Sequence, residues 1–545
     1  MKPLKACLFG AFLIVAAGGF FIYIQDRRWQ TAYDAGRGAL RESQYGVAEK
    51  MFTESLAAAS WFGATGMRQA RSLAGVGYLS IALAKDAEAV PLFRQALDIT
   101  EKRLGPNQLE VAEYLSGLAT AYGRQANDAE AEPLLRRALT IREQALGPDH
   151  PDVARSLVNL AWINDNEGRY AEAEHLACQA LAIHEKTQET DPGLTALPLE
   201  SLAWFLIRQD RYLEAEPLVK RAAAALENRT GEARLHLASC LGSLGIIDRA
   251  QGRCASAVEN FKRALTLREG IQKPDDPKVA GSRSNLATAL AGQGRTSEAK
   301  ALLEAALASF EGKFGPDYAG LAQPLVRLAL LRSSQGDDAQ AESLLKRALA
   351  IREKQWRPEH PEIASSLIEL SRFYVKHGRY AEAEPLARRS LVILEMADLP
   401  AGVSRTLDVL SRIDAQRGAN DEAEASFRRA LALRDEHPSG DDRETAELLE
   451  HYAAFLRKRG RNAEAQTMES RAKAIRARSD CASPAGADDR PPDERNCGGT
   501  DSLLRSLVGR RQRLNRVVRG GPETVVRKMD WAPRLSFVKP PCPGW

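Results

Sequence analysis

A period of 42 residues runs through this sequence. The alanine that closes RYAEA at 169–173 has counterparts at Ala48, Ala89, Ala131, Ala173, Ala215, Ala257, Ala299, Ala341, Ala383, Ala423 and Ala465, in steps of 41, seven of 42, then 40 and 42. Two near-copies confirm the register: GPDHPDVA at 147–154 answers RPEHPEIA at 357–364, and GRYAEAE at 168–174 returns at 378–384, both pairs 210 residues or five periods apart. Eleven units therefore span residues 29–478. A unit this short cannot bury its apolar face alone, so neighbours must stack into one core that grows along the chain.

Within a unit, two stretches of helical period flank a breaker, as in VARSLVNLAWINDNEG followed by RYAEAEHLACQALAIHEK. Leu157, Leu160, Ala161 and Asn164 share one face of the first stretch, and Ala173, Ala177, Ala180 and Leu181 one face of the second. Such small residues let helices approach to the short end of the usual range of about 8–10 Å. Gly168, Gly252, Gly294, Gly336, Gly378, Gly418 and Gly460 recur at the turn, where a helix end takes positive φ most readily on glycine. Pro148, Pro151, Pro316, Pro358 and Pro361 mark the connectors, since a helix's first turn has N–H groups without partners in any case. The expected fold is an all-α solenoid of helix-turn-helix units.

These units, GPDHPDVARSLVNLAWINDNEGRYAEAEHLACQALAIHEK above all, resemble the tetratricopeptide repeats in their 42-residue form, as in kinesin light chains. The resemblance implies a right-handed superhelix whose concave wall is made by the first helix of each pair and holds peptides or partner domains. Carried over by position, the wall includes Arg155, Val158, Asn159, Trp162, Asp165 and Asn166 in one unit and Glu200, Trp204 and Arg208 in the next. Arg249, Asn285, Arg372, Lys376, Arg412, Arg457 and Lys458 follow in others. The kinesin-type pattern sets paired asparagines before Leu-Ala, and those contact the backbone of the cargo peptide. Here only Asn159 and Asn285 remain, with Gly117, Ser201, Ser243, Arg327, Glu369, Val409 and His451 elsewhere, so the cargo preference does not carry over. Trp162 and Trp204, one period apart and near Arg155 and Arg208, fit either a peptide hot spot or packing between first helices. Arg124, Arg208, Lys376 and Lys458 recur near the end of the first helix. They suit an acidic partner segment or, equally, the negative end of the helix dipole.

Apolar residues make up 44% and charged residues 27% of the 545, enough for buried faces and a solvated exterior. Residues 479–545 hold 12 Lys/Arg against 8 Asp/Glu, which accounts for the whole net charge of +4. That tail, rich in Pro, Gly and Arg, is expected to be disordered. Within it, 501–519 places Leu503, Leu507, Leu514 and Val518 near one helical face with arginines largely elsewhere, a segment that would suit anionic lipid or nonspecific nucleic acid. At the other end, Lys2 and Lys5 precede an uncharged run, Ala6 to Ile24, closed by Asp26, Arg27 and Arg28. Its 19 residues suit a single membrane-spanning helix better than a cleaved signal peptide, whose apolar stretch is about 7–15 residues. Residues 1–28 are thus expected to anchor the chain, with a bacterial inner membrane and exported repeats as the favoured arrangement, although basic residues flank both ends of the run.

Seven cysteines, scattered and without a C-x-x-C pair, form neither a disulfide framework nor a zinc site; Cys178, Cys240 and Cys254 fall in helical patterns and are expected as buried thiols. His150 and His360, in D-H-P and E-H-P, read as capping residues. The S-x-x-K spacings at 297–300 and 343–346 are explained by repeat register, since Ser343 and Lys346 stand where Pro133 and Arg136 stand. No motif for a nucleotide, metal or acyl-enzyme is present, so neither catalysis nor a cofactor is expected. The function expected is a scaffold for protein or peptide partners of acidic character, with nucleic acid an unlikely ligand. The competing reading is an accessory subunit whose tail contacts lipid or nucleic acid while the repeats act as a spacer.

Overall fold

The computed structural model describes residues 2–478 apart from 43, 84, 126, 187–191, 232 and 439–441, with side chains from residue 19 onward except at 192–194 and 442. The tail, including the amphipathic stretch 501–519, lies outside the described residues. Those described form 22 helices, one short 3-10 turn at Ala319–Leu321 and no strand, two helices to each of eleven repeats. All seven turn glycines have positive φ, between 71° and 83°. His150 and His360 cap first helices as expected: each ring Nδ1 accepts the N–H two residues on, from Asp152 and Glu362, at 3.1 Å. Cys240 and Cys254 are buried as expected, and Cys178 is half-buried.

The amino-terminal expectation needs correction. Among the described residues no helix is long and apolar enough to cross a membrane, so the single-pass anchor and the localisation built on it are withdrawn. The apolar run is not a separate element: one helix, Lys2–Arg41, continues from it into repeat 1. Gln25 and Trp29 are already buried in the solenoid, Trp29 donates to Ser72 Oγ at 2.9 Å, and Phe21 packs edge-on against Trp61 with ring centroids 5.2 Å apart.

First helices of neighbouring repeats touch one another at every junction but that of repeats 8 and 9, and no comparable contact joins successive second helices. The layer that packs closer is the inner one, so the first helices form the concave wall. In three repeats a first-helix glycine makes room for a core phenylalanine of the second helix. Phe52 lies between Gly36 and Gly75, Phe93 between Gly77 and Gly117, and Phe261 against Gly245, so close that a Cβ on Gly75 would stand 2.5 Å from the Phe52 ring. Four second helices end on an arginine that staples repeats together. Arg142 donates to Ser156 of the next repeat, Arg268 to the Lys278 carbonyl at 3.2 Å, Arg352 to Ser366 at 2.8 Å and Arg434 to Glu444 at 2.8 Å.

Successive turns of the solenoid also meet. The end of the first helix of repeat 4 (Pro151–Asn166) abuts the start of that of repeat 9 (Pro361–Lys376), nearly 200 residues later. His360 Nε2 donates to the Asn166 carbonyl at 3.0 Å, and Arg357 to that of Glu167 at 3.3 Å. Tyr170 inserts its ring among Ile363, Ala364 and Leu367. One repeat further, Arg405 reaches Asp210 at 3.0 Å. Asp210 takes the place of a turn glycine, at φ 58°, and its carboxylate also accepts from Tyr212 at 2.7 Å.

Candidate partner-binding wall

The wall is built by side chains that the helical period points away from the second helices. Trp162 and Trp204 meet on it, as their shared register requires: their rings stack at 6.4 Å with 27° between planes, and Trp162 lies edge-on to Phe205 at 4.8 Å. Both remain half-buried, with Trp162 donating to Ser201 at 3.2 Å and Trp204 to Asp165 at 3.4 Å. Each indole therefore packs with one part and offers another.

Arg208 is placed elsewhere than expected. It points into the contact between turns, where it pairs with Glu362, lies 3.4 Å from Asp165, donates to the Tyr170 hydroxyl at 2.5 Å and covers the Tyr170 ring at 4.9 Å. Arg352 adds a second bond to Glu362 at 2.8 Å. Burial opposes every charge here, yet Arg208 and Arg352 together hold Glu362 below the usual carboxylate range. Tyr170, Glu362 and Asp165 hold Arg208 above its ordinary value in spite of burial. Burial dominates at Asp165 and pushes it up. The cluster is a clasp between turns, and it takes Arg208 out of reach of a partner. Other expected contacts are likewise spent within the chain: Arg124 on Asp86 at 2.8 Å, Arg155 on Asp152 at 2.9 Å, Arg372 on Glu447 at 2.7 Å, Glu200 on His236 at 2.8 Å, Asn166 on Asp128 at 3.1 Å, Lys376 on Ser333 at 2.9 Å and Arg457 on Glu469 at 2.6 Å.

The clasp should respond to acid. His360 is 4% exposed, and its ring must be neutral to accept from Glu362 N–H at Nδ1 while donating from Nε2. Burial pushes its pKa down to about 4, so the unfolded chain binds a proton that the folded chain resists. The resulting stability is complete above pH about 6.5 and is lost as pH falls toward 4, by up to roughly 3 kcal/mol. His360→Asn, which keeps a capping acceptor, is expected to flatten the melting-temperature profile across that window. An unchanged profile would place the acid sensitivity elsewhere.

What remains open on the wall lies in repeats 6 to 10. Arg249, Arg327 and Arg412 are half-buried and make no ion pair or side-chain hydrogen bond among the described residues. Arg249 and Arg327 feel each other's charge, and burial together with Arg249 pushes Arg327 down to about 10. Between them the wall is small and polar: nothing lies within 4 Å of a Cβ built on Gly242 or Gly281, and Asn285 is half-buried beside them. Asn159 is also half-buried, next to Trp162 on its helix.

Two family models, both described as tetratricopeptide repeat, match residues 76–144, 110–186, 194–270 and 278–354 in one case and 363–397 in the other, together more than half of the chain. The chain belongs to the tetratricopeptide repeat family. Its repeats are of the kinesin light chain-like type. Solved structures similar to it include BtubC (BKLC) from P. vanneervenii, 22% identical over 43% of this chain and 92% of that one, TM-score 0.32. The apo form of RapI is 12% identical over 52% of this chain and 98% of its own, TM-score 0.39. The apo form of the quorum sensor NprR from B. thuringiensis is 14% identical over 67% and 98%, TM-score 0.46. These likenesses are too distant to carry function across. No curated protein matches the chain at a comparable level.

Two features of this tetratricopeptide repeat wall were missed in the sequence. The stapling arginines had a signal, the recurrence of I-R-E at 141–143 and 351–353, always eleven residues after the repeat alanine. The clasp between turns had none, because no local pattern says which repeats lie one superhelical turn apart.

Proposed function

We propose that this chain is a non-catalytic scaffold that holds a protein or peptide partner along the wall of its first helices, and that the partner presents an acidic segment to repeats 6 to 8. The observation that carries this reading is the pair Arg249 and Arg327. On a wall where Arg71, Arg124, Arg208, Arg372 and Arg405 all have carboxylate partners, these two make no ion pair among the described residues, and Arg327 feels Glu369 only at a distance. Two desolvated guanidinium groups within reach of each other lack only an anion. The glycine-lined stretch between them leaves room for a backbone, and the stacked tryptophans of repeats 4 and 5 supply apolar area of the kind that dominates binding energy. Recognition is additive: several modest contacts on successive repeats, with the rigid solenoid removing part of the ordering cost.

The test is capture of partners from the native extract by the full-length protein. Arg249→Glu with Arg327→Glu is expected to reduce capture at least about tenfold, the effect of about 1.4 kcal/mol, and to remove its dependence on salt. Trp162→Ala with Trp204→Ala should weaken capture without changing the salt dependence. Capture that survives charge reversal while the helical circular dichroism is intact would sink the proposal.

A further inference from the structure

The four stapling arginines share a second regularity. Ten residues after each, in the first turn of the next repeat's first helix, stand Asp152 after Arg142, Glu362 after Arg352, Glu444 after Arg434, and Lys278 after Arg268. In two of these junctions the acid pairs directly with the staple, Arg352 with Glu362 and Arg434 with Glu444, both at 2.8 Å. At the third, Asp152 turns to Arg155 instead but still lends Arg142 a favourable charge. The junction between repeats 6 and 7 reverses the sign.

There Arg268 donates to the Lys278 carbonyl at 3.2 Å and to Ser239 Oγ at 3.0 Å, and its Nε is buried without a hydrogen-bond acceptor. The Lys278 side chain is half-buried and makes no ion pair or hydrogen bond among the described residues. Neighbouring acids are already engaged. Asp276 accepts the Lys278 N–H at 2.8 Å as a helix cap, and Glu200 holds His236 at 2.8 Å. Two cations thus sit together at the edge of the concave wall without the carboxylate that the same register supplies elsewhere. Their state agrees with this: burial first, then Arg268 and Arg124, push Lys278 down to about 8, and burial lowers Arg268.

We propose that the junction of repeats 6 and 7 is an anion site in which Arg268 and Lys278 take a carboxylate from an acidic side chain of the bound partner, in the place that Glu362 and Glu444 fill from within the chain. The identity of the carboxylate's donor rests on the wall-binding reading above, while the site itself does not. A carboxylate is favoured over other anions because the chain fills two of the equivalent places with glutamate. At pH 7 Lys278 keeps most of its charge, and anion binding should fade as pH rises past about 8.

Glutarate is the probe, added to the full-length protein at fixed ionic strength with chloride as control and inorganic phosphate as a third arm. The wild-type melting temperature is expected to rise with glutarate concentration, as for any ligand that binds only the folded state. Lys278→Glu should melt higher than wild type without glutarate and respond to it at least tenfold less sensitively. Lys278→Met, which removes the cation without supplying an acid, should also lose the response but without the gain shown by Lys278→Glu. The proposal is overturned if glutarate acts no differently from chloride, if phosphate stabilises and glutarate does not, or if Lys278→Glu melts no higher than wild type. Failure of the wall-binding reading would show separately, as partner capture indifferent to Arg249 and Arg327, and would leave the glutarate result standing.

Discussion

Arg208→Ala is expected to cost about 3–5 kcal/mol, the loss found when one member of a buried ion pair is removed and the other is left uncompensated. Asp165 and Glu362 would then be stranded in the contact between turns, where Asp165 Oδ1 already lacks a hydrogen-bond partner. A long repeat array does not unfold as one unit, so the loss should be local. Hydrogen exchange should accelerate in the first helices of repeats 4, 5 and 9, and the radius of gyration from solution scattering should grow as the turns part. Repeats 1 to 3 should keep their protection. Arg155→Ala, on the same wall but exposed and paired only with Asp152 on its own helix, should change stability by less than about 0.5 kcal/mol. Arg208→Met combined with Asp165→Leu and Glu362→Met should recover most of the loss, because an apolar replacement of the whole cluster strands no charge. Unchanged exchange and scattering in Arg208→Ala would mean that the turns are held by Tyr170 and its apolar neighbours without the clasp.

Phe52→Ala is expected to destabilise repeats 1 and 2 by about 3–5 kcal/mol, at the upper end of that range. The ring is fully buried, and the two nearest residues across it, Gly36 and Gly75, have no side chains to fall into the space. The reverse change makes the same point from the other side. Gly75→Ala would drive a methyl against the Phe52 ring at 2.5 Å, an overpacking worth about 1–3 kcal/mol. Combined with Phe52→Leu, the alanine should cost less than it does alone. Denaturation midpoints of the two singles and the double variant measure this coupling. Strict additivity would show that the glycines do not exist to seat the ring.

The clasp and the phenylalanine slots differ in how they could have been read. Each slot is inscribed at fixed spacing: Gly36 with Phe52, Gly77 with Phe93 and Gly245 with Phe261 are all 16 residues apart, and a volume argument along one repeat finds them. The stapling arginines and the sign reversal at Lys278 are equally visible once the units are aligned. Turn glycines and helix caps followed directly from the repeat, because they depend only on neighbours within a unit or the next. The assignment of wall charges to a partner went wrong where it depended on more. Arg208 and Arg124 occupy the same place in their helices as open groove residues would, and their partners come from other repeats.

The 42-residue period and its helical patterning determined, without any coordinates, that this chain is an all-helical solenoid of stacked helix-turn-helix units; which helix of each pair lines the wall came from the resemblance to the tetratricopeptide repeats. Local geometry repeats with the sequence, so the sequence contains it. The tertiary structure alone decided which repeats meet across a turn, and hence that Arg208 closes the solenoid while Arg249 and Arg327 make no ion pair among the described residues. It also decided that the apolar start of the chain runs on as the first helix of repeat 1. Small rotations between units accumulate over five repeats, and the contacts that result join residues nearly 200 positions apart that no local pattern connects.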